Sequence, residues 1–510
     1  MTEIPILTLL IVIPAVFAGL IGLMSAESRE SIRAVALVGT LVTFGASLAI
    51  LPGFAVGEPG FQLVESAPWI PAWGVTYLVG VDGVSLLLVL LTTFIMPLVV
   101  LAAWDHEAGA KGFFASLLGL QAAMVGVFVA LDLILFYVFF EVMLVPMYAL
   151  IGIWGGANRR YAAVKFFLYT LVGGLLMLVA ILYLYFAAGA QSFAYEAILG
   201  VELSTTEQTW LFLAFFAAFA IKVPLFPVHT WLPDAHTEAP TVGSVILAAV
   251  LLKIGGYGFL RFSLPYFPEA STTLAPPILV LAIVGILYGA LVAMMQSDIK
   301  KLVAYSSVAH LGFVVLGIFA LDVTASAGAV VQMVNHGITT GALFLLIGFM
   351  YDRTHSRVIA DYSGLMKATP VFGGLFLVTA MSSVALPGLN GFVGEFPILL
   401  GTFQTYPWAA IAAVFGVILA ALYLLWAYQR MFHGPLEGRA EGMTDLNARE
   451  IGVMAPLVIL MVAIGLYPQP LYERVTPTVE AIVIGVEEAG VATEEPGDLS
   501  VEAAAEEDSQ

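Results

Sequence analysis

Residues 218–240 read AFAIKVPLFPVHTWLPDAHTEAP, an apolar run that carries Lys222 and is then interrupted by Pro224 and Pro227. A lysine inside a helix-length oily segment, followed at once by two ladder-breaking residues, needs a particular setting. Proline removes a backbone donor and clashes with the preceding turn. At membrane depth lipid offers the freed carbonyls nothing, so protein or an internal aqueous cavity must meet them.

The rest of the chain is equally oily. Of 510 residues 61% are hydrophobic and 11% charged, with a mean hydropathy of +1.00, too little charge to cover a soluble chain of this length. Apolar segments long enough to span a bilayer fall at 4–24, 32–51, 83–103, 112–130, 132–153, 161–187, 210–228, 241–262, 276–295, 301–320, 326–350, 370–387 continuing past a break, 408–430 and 451–467, which makes fourteen. The first reads as a span and not as a secretory signal, because no basic stretch precedes it and further spans follow. The expected architecture is an all-α polytopic membrane protein.

The basic residues orient it. Of 18 Lys and Arg, thirteen fall in alternate loops: Arg29, Arg33, Lys111, Arg159, Arg160, Lys300, Lys301, Arg353, Arg357, Lys367, Arg430, Arg439 and Arg449. Arg261 and Arg474 fall on the other side, and Lys165, Lys222 and Lys253 lie within spans. This positive-inside bias puts odd-numbered loops in the cytoplasm and both termini outside, on the periplasmic side of a bacterial inner membrane. The longest loop, about 51–82, carries no basic residue, and no loop is large enough for a soluble catalytic domain. Residues 475–510 are rich in acid and read as a solvated, disordered outer tail, contributing to the net charge of −18. The chain has no cysteine, which excludes disulfides and cysteine-ligated iron–sulfur clusters from it.

A second interrupted span, ALPGLNGFVGEFPIL at 385–399, sets Pro387, Gly388, Gly391 and Gly394 around its break and Glu395 just beyond. The Lys222 span is fourth in the unit 112–262, and the Glu395 span is fourth in the unit 263–432. The two units begin on opposite sides, as in inverted-repeat transporters, which carry a broken helix in each half and ion sites near the midplane. Residues 1–111 supply three further spans, and 433–474 a loop and the last span. Pro kinks also occur in passive helices; two matched kinks beside ionisable residues favour the transport reading.

Ionisable groups share one depth. Glu141, Lys222, Lys253, His310 and His336 each lie about nine to twelve residues from a span end, near the middle of a ~30 Å core at 1.5 Å per residue. Glu395 follows its break at a similar level. Each charge at a helix centre costs on the order of 2.5–3.5 kcal/mol, so six of them belong on one buried polar file. Burial moves Lys and Glu toward neutrality and an opposite charge moves them back, which makes a Lys–Glu pair that opens and closes a proton switch. The freed carbonyls near Lys222 can polarise it or hold water. Each residue also has a structural reading: a fixed ion pair for Glu141 and Lys222, satisfied core histidines for His310 and His336. For His229 and His236, near Asp234 and Glu238, capping and loop packing weigh as much as a functional role, and Lys165 reads as snorkelling, with an access role as the alternative. Histidine spacing does not suggest a metal site.

These residues carry a resemblance. KVPLFPVHTWLPDAHTEAPTVGSVILAAVLLKIGGYG (222–258), QSDIKKLVAYSSVAHLGF (296–313), MVNHGITTGALFL (333–345) and LPGLNGFVGEF (386–396) resemble the antiporter-like membrane subunits of respiratory complex I, over nearly the whole chain to about Tyr467. The resemblance implies proton movement through two half-channels joined by the polar file and driven by quinone reduction elsewhere in the complex. It casts Glu141 and Lys222 as the ion pair of the first half-channel, Lys253 as the connecting lysine, His310 and His336 as relays and Glu395 as the terminal residue of the second. Sister chains typically carry lysine where Glu395 stands. The implied partners are other membrane-arm subunits, further antiporter-like chains, lipid and protons, with no nucleic acid. Flavin and iron–sulfur clusters are expected in partner subunits, and no cofactor or redox centre in this chain. The alternatives are a subunit of a multi-subunit sodium/proton antiporter and a passive membrane scaffold of a hydrogenase-like complex.

Overall fold

The computed structural model describes residues 5–494. The chain is mostly helical, and among the described residues twelve helices are long and apolar enough to cross a membrane. They follow the expected spans in order. The two expected spans outside this set are the interrupted ones. Thr205–Lys222 ends at the lysine itself and the chain turns before Trp231–Glu238; Pro370–Ser383 stops, turns, and resumes as Asn390–Thr405.

Short polar residues start these helices by taking up first-turn N–H groups that have no partner within the helix. Asp82, Asp132, Asp298 and Asp322 each accept from N–H groups of the turn they precede. Ser204 with Glu207, and Asn447 with Glu450, form reciprocal capping boxes.

Helices sort into a centre and a periphery. The most apolar stretches of Thr241–Tyr266 and Val323–Thr354 are buried throughout, and that of Ile299–Phe319 almost so, whereas those of Ile6–Leu23 and Arg159–Ala187 are mostly outward. Val164, Leu168, Val172 and Val179 are among the outward residues of the latter, the face a bilayer would wet with acyl chains. The enclosed helices are the ones that carry Lys253, His310 and His336.

Three local features depart from the sequence reading. The long loop contains an antiparallel hairpin, Gln62–Ile70 with Val75–Val81. The span at 133–154 is interrupted at Met143, two residues after Glu141. Pro146 accounts for this, since it has no N–H for the carbonyl of Val142. The expected disordered tail is also corrected: Gln469–Glu494 is one helix. Val475, Val479, Val483 and Val486 recur at helical spacing and are buried against Gly83–Ala102, Pro268–Met294 and Val323–Thr354. That apolar stripe outweighs the acidic composition of its other face. Residues 495–510 of the expected tail lie outside the described residues.

Candidate functional site

Lys253 lies in a helix whose ladder is widened on both sides of it. Leu247–Leu251 and Phe259–Ser263 are π-helical, a distortion that re-aims side chains and is frequent at functional sites. The Ala248 carbonyl, inside the first widened turn, accepts from Lys253 Nζ. The same nitrogen lies 2.7 Å from His336 Nδ1. Lys253 is fully buried.

From His336 the polar groups continue. Its ring centroid is 6.0 Å from that of His310. A cavity of about 10 Å³, room for a single water, touches both rings and is edged by Gln332, Asn335, Thr339 and Ser383. His336 Nε2 has no hydrogen-bond partner among the described residues. His310 Nδ1 then lies 2.7 Å from Glu395 Oε1, which also accepts from Gln332 Nε2 at 2.9 Å. On its other side His310 Nε2 is 3.3 Å from both Ser383 Oγ and Tyr423 Oη. Lys253, His336, His310 and Glu395 thus form one buried run.

The break at 384–389 positions its end. Asn390 is clasped from two helices: from Val323–Thr354, Asn335 Nδ2 donates to its carbonyl at 2.6 Å and Thr339 to its side-chain oxygen, and Ser382 of Pro370–Ser383 donates to that oxygen as well. Gly391 passes so close to Ser382 that a Cβ would come within 2.0 Å of its carbonyl oxygen. No larger residue fits there.

Glu141 and Lys222 are placed differently. The ion pair expected between them is not closed: Glu141 Oε1 and Lys222 Nζ are each buried without a hydrogen-bond partner among the described residues. Lys222 Nζ sits 4.8 Å from the centre of the Phe140 ring and 5.9 Å from that of Phe166, where ring quadrupoles attract a cation. Glu141 lies against Gly174, where an added Cβ would come within 1.8 Å of Oε1. The broken helix is also better satisfied than the prolines suggest, because Trp231 Nε1 donates to the Ile221 carbonyl at 2.8 Å. That carbonyl is therefore not free to polarise Lys222.

Several charged groups sit elsewhere than sequence reasoning put them. Lys165, read as snorkelling, reaches the half-exposed Asp234 at 2.7 Å. Glu238 accepts from the Asn158 N–H at 2.8 Å, as a cap. His236 stacks on Phe344 with both ring nitrogens unpartnered among the described residues, and His229 packs between Phe226 and Tyr288. Lys300, assigned to a loop, is buried and donates to the Ala239 carbonyl at 2.6 Å. Arg261, also assigned to a loop, is buried in an ion pair with Asp82. Gln332, Asn335, Thr339 and Thr340 were missed as well. They share a face with His336 at helical spacing, a polar stripe that the sequence does display.

Among the described residues no group of three or more His, Cys, Asp and Glu side chains converges as a metal site would require. The run from Lys253 to Glu395 holds groups that give and accept protons, and the chemistry it suits is proton relay.

Known proteins share this arrangement of elements. Residues 130–420 match the family described as "NADH:quinone oxidoreductase/Mrp antiporter, TM". The NADH-quinone oxidoreductase subunit M of Rhodobacter capsulatus is 48% identical over 94% of this chain and 96% of its own length. The NADH-ubiquinone oxidoreductase chain 4 of Arabidopsis thaliana is 43% identical over 89% and 92%. A chain of respiratory complex I from Thermus thermophilus with bound NADH superposes with a TM-score of 0.87 at 34% identity, covering 94% of this chain and 99% of that one. With its family match and subunit M and chain 4 relatives each spanning nearly their full length, this chain belongs to the NADH:quinone oxidoreductase/Mrp antiporter membrane family, in the subunit M (chain 4) branch.

Proposed function

We propose that this chain is the proton-translocating subunit M of an NADH-quinone oxidoreductase, moving protons while quinone is reduced elsewhere in the complex. The observation that carries the reading is the buried run Lys253–His336–His310–Glu395, in which successive members are bonded at 2.7 Å or separated by a water-sized gap. Side chains of this kind can pass a proton by taking one on one face and releasing it on the other.

Within this reading Lys253 connects two half-channels. Glu141 and Lys222 serve the first, and their open geometry suits a switch, because a pair that is apart can still close. His336 and His310 relay along the second and Glu395 ends it. The half-channels come from two inverted five-helix units, 112–262 and 263–432, within fourteen spans. The membrane is a bacterial inner membrane with both termini on the periplasmic side, which the alternation of basic loops supports. Flavin and iron–sulfur clusters belong to partner subunits, and the partners in the membrane are other antiporter-like chains. The 48% identity to a named subunit M favours this over a sodium/proton antiporter or a passive scaffold.

The test is proton uptake by sealed vesicles during NADH oxidation, normalised to assembled complex, with Glu395→Gln. Gln keeps the volume and an acceptor for Gln332 but cannot take up a proton, so pumping falls severely while assembly survives. Unchanged pumping by an assembled variant refutes the relay.

A further inference from the structure

Lys253, Tyr257 and Arg261 stand at i, i+4 and i+8, on one face of the same enclosed helix, spanning about 12 Å. Tyr257 Oη donates to the Phe128 carbonyl at 3.1 Å and accepts from Arg261 Nε at 3.3 Å. Arg261 Nη2 pairs with Asp82 Oδ2. Beyond the pair opens a vestibule of about 570 Å³ on the face opposite the lysine- and arginine-rich one. Phe61 and Tyr195 line it, and Thr478, Ala481 and Ile482 of the C-terminal helix form its roof. Arg261 therefore stands on the same helix face as Lys253, two turns along it toward the vestibule, while the polar run toward Glu395 leaves Lys253 through His336.

The last polar group along this face is unlike the others. Lysine, tyrosine, histidine and glutamate can each take up and release a proton. Arginine keeps its proton in proteins. Its guanidinium is further held 4.7 Å from the Phe61 ring and 5.3 Å from that of Tyr257. Asp82 is engaged on both oxygens: Oδ1 accepts from Val84 N–H, Ser85 N–H and Ser85 Oγ, and Oδ2 from Arg261. A relay needs a member that can accept and then let go. Neither member of this pair offers that. The second π-helical turn contains Arg261, so both distortions of this helix serve its two charged residues.

We propose that the Arg261–Asp82 pair is an insulating seal, which stops protons on Lys253 from leaving straight into the vestibule and so commits them to the lateral run ending at Glu395. The pair is a fixed positive charge and a carboxylate bonded on both oxygens, and both residues line the vestibule. This inference rests on the proton-translocating reading, and it makes Arg261 a positioning residue for the path and not a carrier on it.

The two partners are not equivalent under this proposal, which separates it from an ion pair that only holds helices together. Arg261→Gln frees Asp82 Oδ2 as a proton acceptor at the vestibule floor. Asp82→Asn keeps the helix cap, since Asn caps as well as Asp, and leaves the guanidinium without its carboxylate partner but still bonded to Tyr257 Oη. The experiment uses whole complex in sealed proteoliposomes and reads passive proton conductance after a pH jump without NADH, per assembled complex. Arg261→Gln raises conductance by at least about tenfold, the order expected when one unit charge a few ångströms from the path is removed. Asp82→Asn stays as tight as the unsubstituted complex, and the double variant returns toward it. Equal leak in the two singles, or none in an assembled Arg261→Gln complex, overturns the seal. So does loss of assembly in both singles with recovery in the double. Should Arg261→Gln alone fail to assemble, Arg261→Lys carries the test: lysine can shed the proton that arginine keeps, so this variant leaks above the unsubstituted complex, and equal tightness overturns the proposal. Pumping by the unsubstituted complex, measured in the same vesicles, tests the underlying reading separately.

Discussion

Replacing Lys253 by Met removes the proton-bearing nitrogen and keeps the length of the side chain. Two groups lose their partner, the Ala248 carbonyl and His336 Nδ1, and a buried polar group left without one costs about 1–3 kcal/mol. Against that, the buried ammonium no longer has to be desolvated, an effect of several kcal/mol in the opposite direction. Assembly is therefore expected to survive. Relay is not, because a positioned acid–base group contributes a factor of about 10²–10⁴ to proton transfer, and among the described residues Lys253 Nζ is the side-chain partner of His336 Nδ1. Proton uptake per assembled complex in sealed vesicles should fall by at least about a hundredfold through this chain. Lys253→Arg supplies the discriminating arm. Arginine preserves the charge and offers more donors, yet it keeps its proton, so it should fail as Met does. Full pumping by the Arg variant would show that a fixed positive charge suffices, and full pumping by the Met variant would remove Lys253 from the path; either result refutes the relay.

The first half of the chain carries further expectations. Lys222→Ala should abolish most pumping, and Lys222→Ala with Glu141→Ala should be no worse, since residues acting as a unit are non-additive; restored pumping in the double, measured in vesicles, would make the two a structural pair. Gly174→Ala places a Cβ within 1.8 Å of the present position of Glu141 Oε1, so the carboxylate must move. Pumping should drop without loss of assembly on a native gel. Trp231→Phe removes the donor to the Ile221 carbonyl and should cost about 1–3 kcal/mol, read as a lower midpoint in thermal unfolding of the purified complex, with the remaining activity unchanged per assembled complex.

The buried file was legible because membrane segments make ionisable residues conspicuous. Lys253, His310 and His336 stand out in apolar runs, and the prolines and glycines at 224–227 and 387–394 mark breaks that the chain does contain. What stayed hidden has physical causes. Whether Glu141 and Lys222 touch depends on rotamers and on Gly174 from another helix, neither of which spacing encodes. Arg261 sits at the end of an apolar window and looks like a loop cation; its burial depends on Asp82, 179 positions away. Lys300 follows Asp298 at a helix start and folds its stem inward to carbonyls of another segment. The C-terminal helix was obscured because the acidic residues were read over the whole of 475–510, while the valines at 475–486 set the packing. The Met143 interruption was within reach, because Pro146 announces it.

The enclosed helix Val323–Thr354 bears on how the protein is made. It is the least apolar of the twelve and yet one of the most deeply enclosed, with Gln332, Asn335, His336, Thr339 and Thr340 along one face. Alone in lipid that stripe would face acyl chains with its polar groups unmet. Its partners are Lys253, made earlier, and Asn390 and Glu395, made later. During synthesis this helix therefore cannot be released by itself. It is expected to wait beside the insertion machinery until the 51 residues from its end to Thr405 have brought the Asn390–Thr405 helix into the membrane, so the polar face that walls the file also bears on the order in which the chain can leave the translocon.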